Sequence, residues 1–325
     1  MSKENDQLYY EYFDDWYKLF RNGKIRPVTQ KKYEEAEKAI KTLAPDLRLK
    51  DINRIEVQKL LVAYGRTHEL ATAKGFFHMV KSSLEDAKYN ELIDSRDPTY
   101  KLKAVSSKPH KATRAMYLEL DQAQRLEKVM TDAHTVVGDM LTFDLHTGLR
   151  FAELLGLTPA DVDLTNMMIN IDKTWNYKKG PFADFGETKN QSSHRKIVID
   201  HKALNYIKPY MKNCGADEPI YVKAMSDQSH RKLKSGQKYK GIYHKTIGEQ
   251  LSKFCKEAKV PRIGIHGLRH THVCLLYNAG ASLLSISKRL GHANTTTTEQ
   301  VYLNLIKAKQ AKDNKIMLKA LDSLN

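Results

Sequence analysis

The stretch Ile265–Leu303, IHGLRHTHVCLLYNAGASLLSISKRLGHANTTTTEQVYL, concentrates the side chains best suited to bind a phosphate group. His266 and Arg269 stand in an i, i+3 relation, which puts both side chains on one face of a helix. Together they offer three or more donors to one phosphate, and the arginine can bind in a bidentate manner. His292 and Tyr302 follow, and a tyrosine hydroxyl beside such a clamp is suited to attack phosphorus. The stretch therefore predicts a phosphate site with a nucleophile.

The three histidines His266, His270 and His272 also allow a zinc interpretation, because the first two have helical i, i+4 spacing. No cysteine or carboxylate at ligand spacing accompanies them, and Arg269 in their midst repels a cation. The phosphate interpretation is therefore favoured. Tyr277 is the nearest alternative nucleophile, but its apolar helical surroundings favour a structural role.

A second arginine lies in the stretch His146–Leu157, HTGLRFAELLGL. Leucines surround Arg150, and burying an unpaired guanidinium among them is costly. A bound phosphate removes that cost, and Glu153 at i+3 can hold the guanidinium beforehand. A simple helix salt bridge accounts for the pair but not for its apolar surroundings.

The two stretches resemble the signature boxes of the tyrosine recombinases, or phage-type integrases: T-G-L-R-x-x-E-L-L-G-L, then H-x-x-R, L-G-H and Tyr. This resemblance implies a catalytic set with Glu153 in support: Arg150, Lys189, His266, Arg269, His292 and Tyr302. The family's lysine lies at a hairpin turn, which by position is Lys189; Lys196, inside an apparent strand, is its rival.

The implied fold is mainly α with a small antiparallel β-sheet (α+β), in two domains. A helical core-binding (SAM-like) domain precedes a tyrosine-recombinase catalytic domain. The implied activity is site-specific recombination through a 3′-phosphotyrosine, with no metal or other cofactor. The implied partners are double-stranded DNA, a homotetramer in the synaptic complex and an accessory DNA-bending or directionality protein. Two alternatives stay open: a type IB topoisomerase-like strand transferase and a non-catalytic DNA-binding regulator.

The composition agrees with a polyanionic partner. The 325 residues include 54 Lys and Arg and 38 Asp and Glu, which gives a net charge of +16. Such a surplus is typical of proteins that bind nucleic acid. Three cysteines without paired spacing predict a reducing compartment. With neither a signal-peptide pattern nor an apolar run of bilayer length, we expect no membrane association and a cytoplasmic, nucleoid-associated protein of bacterial or phage origin.

Residues 1–104 are predicted to form a helical core-type DNA-binding domain, with helices near 6–22, 27–43, 51–61 and 71–93. The aromatic first helix, the RP-T---Y start of the second and the LID-RDP ending are similar to the core-binding domain of phage integrases. The candidates for its DNA side are Lys31, Lys32, Lys74, His78 and Lys81, for which the alternative is a solvated helix face. The larger phage integrases carry a separate arm-site-binding module before this domain; this sequence predicts none before the first helix, and natural absence and truncation both stay open as explanations.

Residues 105–114 are predicted to be a linker, and 115–325 the catalytic domain with a tail at 303–325. We expect a capping box at Asp121 and Gln124, a hairpin of 185–188 with 195–200, and a loop over 223–243. The leucines of the tail predict a short amphipathic helix that packs in cis or docks on a neighbouring subunit.

Overall fold

The computed structural model describes residues 6–25, 27–93, 96–108, 115–188 and 191–291, together with 314, 317–318 and 321–322. The chain divides into two compact units, Met1–Thr113 and Arg114–Asn325, at the end of the stretch predicted as a linker. Both units are mainly helical, and the second also carries small antiparallel sheets, which confirms the predicted fold class. Within the described ranges, no helix combines the length and the apolar character needed to cross a membrane.

Among its described residues, the first unit contains the α-helices α1 (Tyr9–Phe20), α2 (Pro27–Leu43), α3 (Arg54–Gly65) and α4 (Leu70–Tyr89). Aromatic side chains of α1 form its core, where Phe13 and Trp16 pack against Tyr33 of α2. Trp16 also donates its indole N–H to Asp86 at 2.6 Å, so the buried ring keeps a polar partner. Asn53 caps α3 by accepting from two backbone N–H groups of its first turn.

The described residues of the second unit include the helices α5 (Leu120–Asp132), α6 (Val136–Thr147), α7 (Phe151–Leu155), α8 (His201–Met211), α9 (Ile220–Gln228), α10 (His244–Glu257), α11 (Ile265–Asn278) and α12 (Leu283–Leu290). Helix α6 is central, because it packs against α5, α8, α9, α10 and α11 and is buried on most of its surface. Its apolar composition, VVGDMLTFDLHT, follows from that position.

Two predictions for the helices of this unit differ from the structure. The capping box before α5 is formed by Glu119 and Gln122, because Glu119 has the extended backbone of an N-cap and Asp121 already lies inside the helix. The expected loop over 223–243 begins within α9, which continues to Gln228. Its short apolar start, Ile220–Val222, is fully buried and lies before the polar residues that suggested a loop.

The sheets consist of β1 (Val162–Asp163), β2 (Met168–Ile171), β3 (Lys173–Trp175), β4 (Phe185–Glu187) and β5 (Arg195–Val198). All pairings are antiparallel: β2 lies between β1 and β5, while β3 pairs with β4. The predicted hairpin of 185–188 with 195–200 was therefore wrong. Both strands pair with segments that precede them, and the chain reverses direction at 176–184, where Gly180 has a φ of 59°.

Candidate active site

Gly148 ends α6 and brings the first arginine into the site. Its φ of 64° is left-handed, and a Cβ at this position would lie 2.6 Å from the ring of His272. Arg150 follows as the N-cap residue of α7. Arg269 reaches the same corner from α11 and donates Nη1–H to the Gly148 carbonyl at 2.7 Å. The glycine therefore allows the two arginine-bearing segments to approach closely.

Both arginines meet the C-terminal end of α12. Arg269 donates from Nη2 to the Leu290 carbonyl at 2.7 Å, and Arg150 donates from Nη2 to the Gly291 carbonyl at 3.1 Å. Arg269 is buried, whereas 27% of the Arg150 side chain is exposed. Burial lowers the pKa of Arg269 to about 9, and the charge of Arg150 contributes to the shift. A bound anion would relieve the repulsion between these two cations.

Glu153 supplies the buried negative charge beside them. Its carboxylate accepts from the backbone N–H of Arg150 at 3.0 Å, from Arg150 Nη1 at 2.7 Å and from Arg195 Nη2 at 2.9 Å. Burial alone would raise the pKa of Glu153, but Arg195 and Arg150 outweigh it and the pKa is lowered. The predicted i, i+3 pair is therefore present, and it includes a second, unpredicted arginine.

His266 lies on α11, one turn before Arg269. Burial lowers its pKa to about 4, with smaller contributions from the neighbouring His270, Arg269 and Arg150. Its imidazole is therefore neutral near pH 7 and able to accept a proton. The ring packs edge-on against His270, with centroids 4.6 Å apart.

The structure does not bring the three histidines of α11 to one point. His272 is buried and uses both ring nitrogens elsewhere: Nδ1 lies 3.0 Å from the Leu145 carbonyl, and Nε2 lies 3.0 Å from Arg289 Nε. Among the residues whose placement is described, no group of three or more His, Cys, Asp or Glu side chains is arranged to hold a metal ion.

The remaining members of the predicted catalytic set, Lys189, His292 and Tyr302, lie outside the described residues. Lys196, the alternative to Lys189, is exposed on β5, opposite Asn170 of β2. Tyr277 is partly buried against the apolar side chains of α11 and α12. The structure thus brings together Arg150, Glu153, His266 and Arg269.

The predicted DNA-side residues lie on two helices of the first unit. Lys31 and Lys32 are exposed on α2, and Lys74 and His78 are exposed on α4. Lys81 is partly buried, and its ammonium lies 3.6 Å from the carboxylate of Glu85.

Sequence reasoning missed three charged residues around the arginines, of which Asp144 is buried and Arg195 and Arg289 are partly buried. Arg195 holds Glu153, and Arg289 contacts His272. Asp144 lies on α6, and its carboxylate oxygens have no hydrogen-bond partner among the described residues. Burial raises the pKa of Asp144 well above its usual range, although the charge of Arg269 opposes the shift. The sequence signal for Asp144 was a carboxylate within the apolar segment 140–145, whereas Arg195 and Arg289 stand beside polar residues that give no such signal.

Comparisons with known proteins identify the family of the chain. Residues 116–309, well over half of the chain, match the profile of the phage integrase family. The chain belongs to this family. The resemblance to the tyrosine recombinases is therefore confirmed.

Three relatives of this integrase-family chain come from mobile elements. It is 26% identical over 247 residues to the ICEBs1 integrase of Bacillus subtilis strain 168, and the aligned region covers 75% of this chain and 63% of that protein. It is 32% identical over 202 residues to the integrase of Staphylococcus phage L54a, covering 58% and 55%. It is 30% identical over 167 residues to the Tn916 transposase of Enterococcus faecalis, covering 50% and 41%. The chain thus spans between 41% and 63% of the length of these relatives.

Solved structures of the family share the fold. The Tn1549 transposon integrase in complex with transposon right end DNA matches with a TM-score of 0.70 and 17% identity, covering 94% of this chain and 99% of that one. A lambda integrase dimer bound to a core site matches with a TM-score of 0.66 and 17% identity, covering 92% and 78%. At this identity the likeness shows the fold alone.

Proposed function

We propose that this integrase-family chain is a site-specific DNA recombinase that integrates or excises a phage or other mobile element. The observation that carries the proposal is the convergence of Arg150 and Arg269 on one corner of the fold, with Glu153 as their buried counter-ion. Two cations held this close at a partly exposed position are suited to a phosphodiester. The integrases and the transposase among its relatives support a mobile-element substrate.

In the proposed reaction Tyr302 attacks the scissile phosphorus, and the bond to the 5′-oxygen breaks. An imidazole, His266 or His292, takes the tyrosine proton as general base. Lys189 gives a proton to the departing 5′-oxygen. The arginines stabilise the charge that grows on the non-bridging oxygens. The products are a 3′-phosphotyrosine and a free 5′-hydroxyl, and attack by the 5′-hydroxyl of a partner strand reverses the step.

Strand exchange by this route joins four protomers on two duplexes, so the proposed partners are double-stranded DNA and three further copies of the chain. A further proposed partner is an accessory DNA-bending or directionality protein. The proposed location is the cytoplasm, in association with the nucleoid. The solved structure of a lambda integrase tetramer bound to a Holliday junction supports the stoichiometry by analogy.

The test uses a nicked duplex that carries the element's own end sequence, on which a cleaved strand departs and the covalent product accumulates. We expect the wild type and Tyr277→Phe to form a covalent DNA adduct, and Tyr302→Phe to bind the duplex without forming one. An adduct with Tyr302→Phe would show that another tyrosine is the nucleophile. Binding without any adduct in the wild type would favour a DNA-binding regulator. Adduct formation without a tetrameric complex on two duplexes would favour a topoisomerase-like enzyme.

A further inference from the structure

Arginines from three different elements cap the last carbonyls of α12. The carbonyl of Arg289 accepts from Arg195 Nε at 2.7 Å, that of Leu290 accepts from Arg269, and that of Gly291 accepts from Arg150. The last carbonyls of a helix have no partner within the helix, and its C-terminus carries partial negative charge that favours cations. The position of this helix end therefore sets where the guanidinium groups of Arg150 and Arg269 point.

The side chain of Arg289 anchors the same helix end from within. Its Nε donates to His272 Nε2 at 3.0 Å, and its Nη1 donates to the Val198 carbonyl at 2.8 Å. The Leu145 carbonyl can only accept, so Nδ1 of the buried His272 carries the ring proton and Nε2 is left to accept from Arg289. The guanidinium thus joins α12 to β5 and α11, and its Nη2 makes a longer contact of 3.4 Å with the His146 carbonyl of α6.

Packing alone does not require an arginine at this position. Ile286 and Leu290 already bury the apolar side of α12, and the neighbouring Lys288 is exposed to solvent. A partly buried guanidinium loses hydration that these hydrogen bonds must replace. Its directed contacts give the helix end one position, whereas apolar packing tolerates small shifts.

We propose that Arg289 is a positioning residue for the phosphate-binding pair. Together with His272 it holds the end of α12 where the Leu290 and Gly291 carbonyls orient Arg269 and Arg150. This inference rests on the proposed recombinase function. A displacement of about 1 Å at reacting groups costs on the order of a hundredfold in rate, so a loosened helix end slows DNA cleavage without preventing DNA binding.

The experiment compares Arg289→Gln with Lys288→Gln, which removes the same charge from an exposed position of the same helix. The first measurement is the rate of covalent adduct formation on the nicked duplex at saturating protein, beside the Kd for that duplex. We expect Arg289→Gln to lower the rate by tenfold to a hundredfold while its Kd stays within about threefold of that of Lys288→Gln. Arg289→Lys keeps the charge but loses the planar fork, so its rate should stay low.

A double-mutant cycle tests whether Arg289 acts through the histidine. If it does, Arg289→Gln combined with His272→Gln is no slower than the slower single variant. Equal adduct rates for Arg289→Gln and Lys288→Gln would overturn the proposal, as would a rate loss that merely follows a loss of binding. Additive losses in the cycle would overturn the role of His272.

Amide hydrogen exchange without DNA separates this inference from the proposed function. We expect the amides of Ser287–Gly291 to exchange faster in Arg289→Gln than in Lys288→Gln, because only the former loses the anchor. If the wild type forms no adduct, the recombinase proposal fails while the exchange result still stands on its own. Equal exchange in the two variants would show that Arg289 does not hold the helix end.

Discussion

Glu153 accepts from two guanidinium groups at once, that of Arg150 at the start of α7 and that of Arg195 on β5. Its side chain is 2% exposed and that of Arg195 is 7% exposed. Removing one partner from a buried ion pair leaves an uncompensated charge, which costs far more than the net value of the pair. The carboxylate therefore holds the arginines in place before any DNA is bound.

Glu153→Gln should lower the free energy of unfolding by about 3–5 kcal/mol, the usual cost of breaking a buried ion pair. Chemical denaturation followed by circular dichroism measures this change. Glu187→Gln, at an exposed position of β4, is the matched control and should stay within about 0.5 kcal/mol of the wild type. If the two variants lost equal stability, the bridge would have no structural role.

His146 gives the second unit a pH-dependent contact. Burial works to lower its pKa, but hydrogen bonds to Glu127 and Asp200 prevail and raise the pKa above 6.5. A raised folded pKa gives stability that is fully present below the unfolded value near 6.5 and is lost as pH rises through the folded value. Because the same carboxylates have lowered pKa values, they remain ionised in this window.

His146→Gln should therefore destabilise the protein at pH 6 by on the order of 1 kcal/mol, as expected for hydrogen bonds to charged groups, and less at pH 9. Urea denaturation at the two pH values measures the difference. His201→Gln, at an exposed position at the start of α8, is the matched control and should stay within about 0.5 kcal/mol of the wild type. If His146→Gln destabilised the protein more at pH 9 than at pH 6, the predicted direction of the pH dependence would be wrong.

Local spacing predicted part of the site and could not predict the rest. The Arg150–Glu153 pair follows from an i, i+3 relation, which a sequence displays directly. Arg195 and Glu153 are 42 positions apart, and Arg289 and His272 are 17 apart, so no periodicity joins them. Their other partners are backbone carbonyls, which leave no signal in the sequence.

At the scale of elements, helix positions were predictable and strand partners were not. Apolar periodicity located α1, α2, α3 and α4 because a helix closes its hydrogen bonds within itself. The strand predicted over 195–200 matches β5 at Arg195–Val198, but the alternation of its side chains is the same for every possible partner strand. The pairing depends on where the chain reverses, and the reversal at Gly180 lies in a polar segment with no periodicity.

Two helical glycines should respond oppositely to alanine. A Cβ on Gly138 of α6 would lie 2.2 Å from the Met130 carbonyl oxygen, so Gly138→Ala must push α5 and α6 apart. Overpacking of this kind costs about 1–3 kcal/mol. A Cβ on Gly248 of α10 would meet no atom within 4 Å, so Gly248→Ala should gain about 0.5–1 kcal/mol from helix propensity.

Thermal unfolding of the two variants gives the sign of each change. The melting temperature should fall for Gly138→Ala and rise for Gly248→Ala. A rise for both would mean that helix propensity outweighs the contact between α5 and α6.

At the scale of the whole molecule, the excess of 54 basic over 38 acidic residues predicts how DNA affinity depends on salt. Each phosphate that a lysine or arginine neutralises releases condensed counterions, so log K falls by about 0.9 per contact for each unit of log salt. If α2 faces the duplex, Lys31 and Lys32 each contribute one such contact. Lys31→Gln with Lys32→Gln should then reduce the slope by about 1.8 in fluorescence titrations between roughly 50 and 200 mM salt.

Lys208→Gln with Lys212→Gln removes the same net charge from exposed positions on or next to α8, a helix with no predicted DNA contact. This control should weaken binding only slightly and keep the wild-type slope, because distant exposed charges are screened within about 10 Å at 0.1 M salt. Equal slopes for the two double variants would mean that α2 makes no phosphate contact and that only the overall charge acts. A DNA affinity of the wild type that does not change with salt would contradict DNA as the proposed substrate. No other part of the proposed mechanism requires so large an excess of basic residues.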